Sequence, residues 1–168
     1  MAMPEMDEQT MGRLIGIARR RQRREPMQEA PAAEISQTGG LEGDFKGAKY
    51  PRRQITVLAR EAWEAALADL GGPHLAWTAR RANLLVEDVE LPRAVGGIIR
   101  IGPVRLEVTG QTYPCVRMEE AQAGLLKALA REWRGGVTCR VLAGGAVRIG
   151  DAVEVLLRPP EVLPRLPG

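Results

Sequence analysis

The sequence contains few of the residues from which familiar catalytic and metal centres are built. Its 168 residues include one histidine, two cysteines, three Trp, two Tyr and one Phe. One histidine excludes HExxH and Cys₂His₂ sites, and two cysteines exclude a Cys₄ zinc site and a disulfide-rich scaffold. GxSxG, GxxxxGK[ST] and GxGxxG are also missing. The common enzyme signatures are therefore absent.

Long apolar runs are missing as well. None approaches the roughly 18 residues that a membrane helix requires, so we expect no membrane association. Residues 1–10 carry three acidic residues and no basic one, which is not the pattern of a signal peptide. These absences predict a cytoplasmic location, in which both thiols stay reduced.

The residues that are present predict one globular domain. Hydrophobic residues make up 45% and charged residues 27% of the chain. Aromatics supply only 4%, so the core must consist mainly of Val, Leu, Ile and Ala. The 24 Lys and Arg against 21 Asp and Glu give a net charge of +3, which does not by itself imply a nucleic-acid partner.

Short strands dominate the pattern of the chain. Alternating or continuous apolar runs predict strands in GRLIGIARR, QITVLAR, ANLLVEDVEL, GGIIRIG, VRLEVTG and GVTCRVLAGGAVRIGDAVEVLL. Helical spacing predicts two helices. The first is Arg60 to Leu70, with Ala62, Ala65, Ala66 and Leu70 on one face, and the second is Met118 to Trp133, with Met118, Ala121, Leu125, Leu129 and Trp133 along one stripe. This density of strands favours a mostly-β barrel or meander with peripheral helices over alternating βαβ units.

A long segment rich in Gly and charge, Ser36 to Gln54, interrupts the strands. It has no hydrophobic period, so we predict a loop. Loops of this length inside a compact domain are usually functional or disordered.

The two cysteines occupy different settings. Cys139 alternates with Val137 and Val141 on one face of a strand, which predicts a buried thiol that behaves as a small hydrophobic group. Cys115 follows a strand and precedes the second helix, with Arg117 two residues further on. Unpaired N–H groups and a nearby cation stabilise a thiolate, so Cys115 is the candidate nucleophile or soft-metal ligand, although a structural role stays open.

Four blocks of the sequence occur in an order that resembles the MOSC domain, named after the C-terminal domain of molybdenum-cofactor sulfurases. The blocks are GLEGDFKGAKYPRRQITVL, RRANLLVEDVEL, IRIGPVRLEVTGQTYPC and GAVRIGDAVEVL. The resemblance implies a closed, mostly-β barrel of the MOSC type with two or more peripheral helices. The resemblance covers one barrel domain, 12–158, while the polar N-terminus predicts a disordered segment 1–11 and the prolines at the C-terminus predict an irregular tail 159–168.

The resemblance also implies a site. It makes Cys115 the ligand of molybdenum or the carrier of a persulfide, and it directs the R-x-N pair Arg81 and Asn83 towards the pterin and its phosphate. Gly43 and Asp44 match the GxxGD block. The chemistry of a phosphate-bearing ligand requires cations, which Lys46, Lys49, Arg52, Arg53 and Arg81 can supply. Asp88 stands where the family often has a turn glycine, and Asp tolerates the left-handed conformation that such a turn needs.

Three functions remain open at this stage. The first is binding of molybdenum cofactor (molybdopterin), or sulfur transfer on Cys115, with a cysteine desulfurase or a molybdoenzyme as partner. The second is a molybdenum-dependent reductase of N-hydroxylated compounds. The third is a non-enzymatic nucleic-acid-binding barrel that uses the arginines between Arg19 and Arg24. The third is disfavoured because proteins that bind single-stranded nucleic acid interleave aromatic residues with basic ones. Phe45 is the only aromatic residue between Gly12 and Lys49.

Overall fold

The structure, a computed structural model, describes residues 11–113 and 115–161. The predicted segments 1–11 and 159–168 therefore lie mostly outside the described residues. Met11, which the sequence assigned to the disordered segment, is the first residue of a strand. The strands are β1 (Met11–Arg19), β2 (Gln28–Glu29), β3 (Ala32–Ser36), β4 (Gly40–Leu41), β5 (Ile55–Ala59), β6 (Leu84–Glu87), β7 (Ile98–Ile101), β8 (Val104–Gln111), β9 (Val137–Ala143), β10 (Gly145–Arg148) and β11 (Ala152–Leu157). The α-helices are α1 (Arg60–Ala68), α2 (Val116–Ala121) and α3 (Leu125–Ala130), and 3₁₀ turns span Trp77–Arg80 and Arg131–Trp133.

Seven strands close into a barrel, as the sequence predicted. Their order is β11-β7-β8-β9-β5-β6-β1, and β1 pairs with β11 to complete the ring. One pairing departs from an antiparallel meander: β5 and β6 are parallel, because α1 crosses between them. A smaller sheet of β10, β3 and β4 covers one side. The predicted barrel is confirmed, with one βαβ unit that the strand pattern did not indicate.

Two apolar cores explain why the chain adopts this arrangement. The interior of the barrel is filled by aliphatic side chains such as Leu14, Ile55, Ile99 and Leu106, all fully buried. A second cluster lies between the outer wall of the barrel and the helices, centred on Leu58 and Trp63. Adjacent strand residues, such as Val57 and Leu58, thus contribute to different cores, which accounts for the continuous apolar run in β5.

The first helix begins at Arg60 as predicted and ends at Ala68, two residues before the predicted end. Ala66 is buried in the second core and Leu70 packs against it, as predicted. The prediction was wrong for Ala62 and Ala65, which are only partly buried. Trp63 and Leu67 take their place in the core, because a large Trp and Leu bury more apolar area than two alanines do.

The second predicted helix, Met118 to Trp133, is interrupted. Gln122 is extended, and Gly124 has a φ of 86°, so α2 and α3 are separate. The predicted apolar stripe is nevertheless largely preserved, because Met118, Leu125 and Leu129 are all buried in the second core. Among the described residues, no helix has the length and apolar character of a membrane span.

Candidate functional site

Cys115 lies at the mouth of an open cavity of about 310 Å³, called here the Cys115 pocket. Three regions of the chain form it: the end of β1, the loop before β5, and the 3₁₀ turn before β6, which meet the start of α2. Eight cationic side chains line it and no carboxylate does: Arg20, Arg23, Lys46, Lys49, Arg53, Arg80, Arg81 and Arg117. Such a concentration of like charge favours an anionic ligand.

Cys115 itself is exposed and precedes the first residue of α2. Its backbone carbonyl accepts a hydrogen bond from Met118 N–H at 2.9 Å, which fixes the first turn of the helix. The side chain forms no capping bond, so the sulfur is left available. Two exposed apolar residues, Tyr113 and Val116, flank it.

Arg80 forms the inner wall of the pocket. Its guanidinium is buried and donates to the carbonyl of Gly135 at 3.1 Å and to that of Thr112 at 3.0 Å. Burial lowers the pKa of Arg80 to about 10, while a negative charge on Cys115 acts in the opposite direction. Arg80 therefore remains charged at neutral pH, and a Cys115 thiolate lies within its electrostatic range.

Arg20 is the second buried cation. Only 5% of it is exposed, and its guanidinium lies over the Phe45 ring, 4.9 Å from the centroid. Burial lowers the pKa of Arg20, the charges of Arg81 and Arg117 lower it further, and Asp44 opposes them. The pKa of Lys46 is also lowered, first by burial and then by Arg20. These cations repel one another in the free protein, and an anion among them would relieve that repulsion.

Two polar atoms in the pocket lack a partner within the described residues. They are Nη1 of Arg20 and Oγ1 of Thr112, both buried. Most buried polar groups in folded proteins are hydrogen-bonded. Their position in the wall of a cavity makes them candidates for contact with a ligand.

Five of the nine residues that the sequence analysis named for the site line this pocket: Cys115, Lys46, Lys49, Arg53 and Arg81. Arg81 adopts a left-handed conformation with φ of 66° at the end of the 3₁₀ turn. Arg52, a further predicted source of charge, does not line the pocket.

Asn83 is buried and does not line the pocket. Its Oδ1 accepts hydrogen bonds from the backbone N–H of Thr56 at 3.0 Å and from the Thr56 hydroxyl at 3.2 Å, and its Nδ2 donates to Ala18 O at 3.3 Å. Asn83 thus ties β1 to β5 behind the pocket.

Gly43 and Asp44 line a neighbouring cavity together with Arg19. Gly43 has a φ of 83°, and a Cβ atom there would lie 3.2 Å from the Arg19 side chain. Asp44 Oδ1 accepts the backbone N–H of Arg20 at 3.2 Å. The GxxGD block therefore positions Arg20 at the edge of the Cys115 pocket.

Sequence reasoning did not assign Arg20, Arg23, Arg80 or Thr112 to this site. Arg20 and Arg23 were visible only as part of a basic run, and Arg80 as the neighbour of Arg81. A usable signal was the basic run directly after β1, since the ends of neighbouring strands meet at one rim of a barrel. The other cysteine is as predicted: Cys139 is fully buried, and burial raises the pKa of its thiol.

Comparison with known proteins supports a family assignment. The MOSC domain family matches residues 42–154. YuaD from Bacillus subtilis superposes with a TM-score of 0.72 and 22% identity, over 87% of this chain and 96% of that one. YiiM from Geobacillus stearothermophilus gives a TM-score of 0.68 with 16% identity, over 88% and 76%. YiiM from Escherichia coli gives 0.63 with 19%, over 89% and 72%.

No curated protein matches the sequence at a significant level. The structural neighbours are too distant in sequence to indicate more than a shared fold. The family match covers well over half of the chain and includes Cys115 and the whole cationic wall except Arg20 and Arg23. On this evidence the chain belongs to the MOSC domain family.

Proposed function

We propose that the chain binds a phosphate-bearing molybdenum cofactor in the Cys115 pocket, with the Cys115 thiolate as the protein's ligand to the metal. One observation carries the proposal: an exposed cysteine shares a pocket with eight cationic side chains and no carboxylate. MOSC domains are associated with molybdenum cofactor in general. The proposal assigns that association to particular residues of this chain.

The pocket suits the chemistry of such a cofactor at its anionic end. A phosphate needs charged and polar donors, and arginine provides paired N–H groups that match its oxygens. Arg20 and Thr112 have buried polar atoms without partners among the described residues. We assign them, with Arg53 and Arg81, to the phosphate.

The pocket also suits the flat body of a pterin. Phe45 and Tyr50 line it, and aromatic rings stack favourably on planar heterocycles. The pocket volume of about 310 Å³ lies at the lower end of the range for small-molecule sites. This favours a cofactor without a large extension, or one whose end projects into solvent.

Cys115 supplies a soft thiolate, the kind of ligand that second-row and soft metals accept readily. No group of three or more His, Cys, Asp or Glu side chains converges on a possible metal site in residues 11–113 and 115–161. The remaining metal ligands would therefore come from the cofactor. When bound, the cofactor would supply oxygen-atom or sulfur chemistry at the metal, and the chain's own residues would orient it.

Sulfur transfer on Cys115 is the second candidate, and the exposure of this thiol favours it. The Cys115 thiolate would attack the outer sulfur of a persulfide on a donor of the cysteine desulfurase class. A new S–S bond forms on Cys115 and the donor cysteine leaves as a thiolate, so no external oxidant is needed. Arg80 and Arg117 would stabilise the negative charge on the attacking sulfur and on the resulting persulfide.

Purification from a host that makes molybdenum cofactor tests both candidates. We expect molybdenum and pterin near one per chain in the wild-type protein, retention in Cys139→Ser, and loss in Cys115→Ser. Cys139→Ser is the matched control because it also removes one thiol. A metal-free protein with a persulfide on Cys115 would favour the second candidate, and full cofactor retention in Cys115→Ser would overturn the ligand assignment.

A further inference from the structure

A second open cavity, of about 450 Å³, lies on another part of the barrel surface, and we call it the acidic cavity. Its walls are α1, the connection from β6 to β7, and the turn that follows α3. It shares no lining residue with the Cys115 pocket. Its volume lies within the range of small-molecule sites in proteins.

The floor of the acidic cavity is apolar. Ala59, at the end of β5, and Ala62 and Ala65 in α1 line this floor, and their small side chains leave room beside the helix. Leu91 forms part of the opposite wall. Trp133 lines the cavity while packing against the barrel core, so part of its indole faces the open space.

The lining of the acidic cavity includes four carboxylates: Glu61, Asp88, Glu90 and Glu132. Glu61, Asp88 and Glu132 form no ion pair within the described part of the chain. Glu61 instead accepts the backbone N–H of Asp88 at 3.0 Å. The cavity therefore has negative charge that the protein itself does not neutralise.

The two arginines of the acidic cavity are already engaged by carboxylates. Arg134 donates to Asp69 at 2.5 Å, and this pairing lowers the pKa of Asp69. Arg93 lies 3.8 Å from Glu90. A positively charged ligand would thus meet the unpaired carboxylates, with the nearby arginines partly compensated.

We propose that the acidic cavity binds a small organic cation with an apolar body, such as an aromatic or alkyl amine or a quaternary ammonium compound. The apolar floor would take the body of the ligand, and the carboxylates and the face of Trp133 would take its charge. Charge complementarity decides the class of ligand. An anion of the kind suited to the Cys115 pocket would be repelled here.

Left-handed backbone occurs in two walls of the acidic cavity. Asp88 in the connection from β6 to β7 has a φ of 58°, and Glu132 and Trp133 in the turn after α3 have φ values of 51° and 57°. Gly136, also in this wall, follows Gly135, whose carbonyl binds Arg80 of the Cys115 pocket. Residues 135 and 136 thus connect Arg80, in the wall of the Cys115 pocket, to the lining of the acidic cavity.

Calorimetric titration of the metal-free protein tests this proposal, and neither result depends on the function proposed for Cys115. The probe is benzyltrimethylammonium, with benzyl alcohol as a neutral aromatic control and phenylacetate as an anionic one. We expect saturable binding of the cation that weakens with added salt, and at least about fivefold weaker binding of either control. Equal binding of the cation and the neutral control would overturn the proposal.

Variants locate the site of binding. Ala65→Leu fills the floor and should abolish binding, whereas Glu132→Gln removes one charge and should weaken it by about two- to fivefold. Glu64→Gln is the matched control, because Glu64 lies on α1 but does not line the acidic cavity. If Ala65→Leu does not fold, Glu132→Gln decides alone. Unchanged affinity in a folded Glu132→Gln protein, or equal loss in Glu64→Gln, would contradict the assignment.

Discussion

At the scale of single residues, the two cysteines differ most clearly in access to solvent. Cys115 is exposed, whereas Cys139 is fully buried in the barrel core and burial raises the pKa of its thiol. Because only an accessible thiolate reacts, we expect iodoacetamide at neutral pH to label Cys115 well before Cys139. Mass spectrometry of peptides from time points quenched with acid measures both rates in one sample. Equal rates in the folded protein would contradict the assignment.

Replacing the buried cysteine should affect stability rather than chemistry. Cys139→Ser places a hydroxyl on the inner face of β9 among aliphatic side chains, which should lower the free energy of unfolding by about 1–3 kcal/mol. Urea denaturation measures the loss, with Cys115→Ser as the control that should be nearly neutral. A loss of the same size in both variants would show that the two sites are not distinguished by burial.

Asn83 gives a third residue-scale prediction. Because its amide bonds the backbone and hydroxyl of Thr56 and the carbonyl of Ala18, Asn83→Ala would leave buried groups without partners. We expect a loss of about 1–3 kcal/mol in the free energy of unfolding. Gln22→Ala, which removes an exposed amide, is the control. A stable Asn83→Ala protein that has lost cofactor binding would instead indicate a direct contact with the ligand.

At the scale of elements, the segment Ser36 to Gln54 contains strand residues at its start and a series of turns in its remainder. Ser36 and Gly40–Leu41 belong to strands, and Leu41 is fully buried. Beyond them, the backbone forms short-range turns, such as those from Lys49 to Lys46 and from Arg53 to Tyr50. The prediction of a loop from Ser36 was therefore wrong for its first six residues, and the loop begins after β4, at Glu42.

Hydrogen exchange should distinguish these turns from the barrel. Short-range hydrogen bonds open without unfolding the core, so we expect amides of residues 46–53 to exchange much faster than those of β5. Inorganic phosphate should slow their exchange if Lys46, Lys49 and Arg53 contact an anion. The exchange rates of β10, which lines neither cavity, serve as the reference. Protection of residues 46–53 without ligand, equal to that of β5, would contradict the prediction.

How far the sequence predicts each element depends on which interaction decides its structure. The period of two along β9 correctly predicts that Cys139 is buried on the same face as Val137 and Val141. Pairing of β9 with β5 and β8 keeps that face turned towards the barrel core. The break between α2 and α3 depends on an extended Gln122 and a left-handed Gly124, and the helical stripe continues across it. In this second helical segment the sequence period therefore predicts the buried residues better than the continuity of the helix, whereas in α1 it missed Trp63 and Leu67.

At the scale of the molecule, closure of the barrel assembles a site that no single segment contains. Arg20, Arg53, Arg81 and Cys115 are separated by tens of residues in sequence and line one pocket. Strand counting predicts the barrel, and family resemblance directs attention to Cys115. The buried Arg80 could not be assigned from local pattern, because its partners lie far along the chain: Thr112 directly follows β8, and Gly135 lies just before β9.

Mutual repulsion of the cations leads to a prediction for the whole molecule. A ligand that binds only the folded state raises the free energy of unfolding by RT ln(1 + [L]/Kd), about 1.4 kcal/mol at ten times Kd. Inorganic phosphate should therefore raise Tm beyond the effect of sodium chloride at equal ionic strength, since burial and neighbouring cations already lower the pKa values of Arg20 and Lys46.

Arg53→Gln should reduce this increase in Tm. Arg105→Gln removes the same charge from the exposed face of β8, away from the Cys115 pocket, and should leave the increase unchanged. A phosphate effect no larger than that of chloride, or one reduced equally by both variants, would mean that the cations act only as a diffuse surface charge.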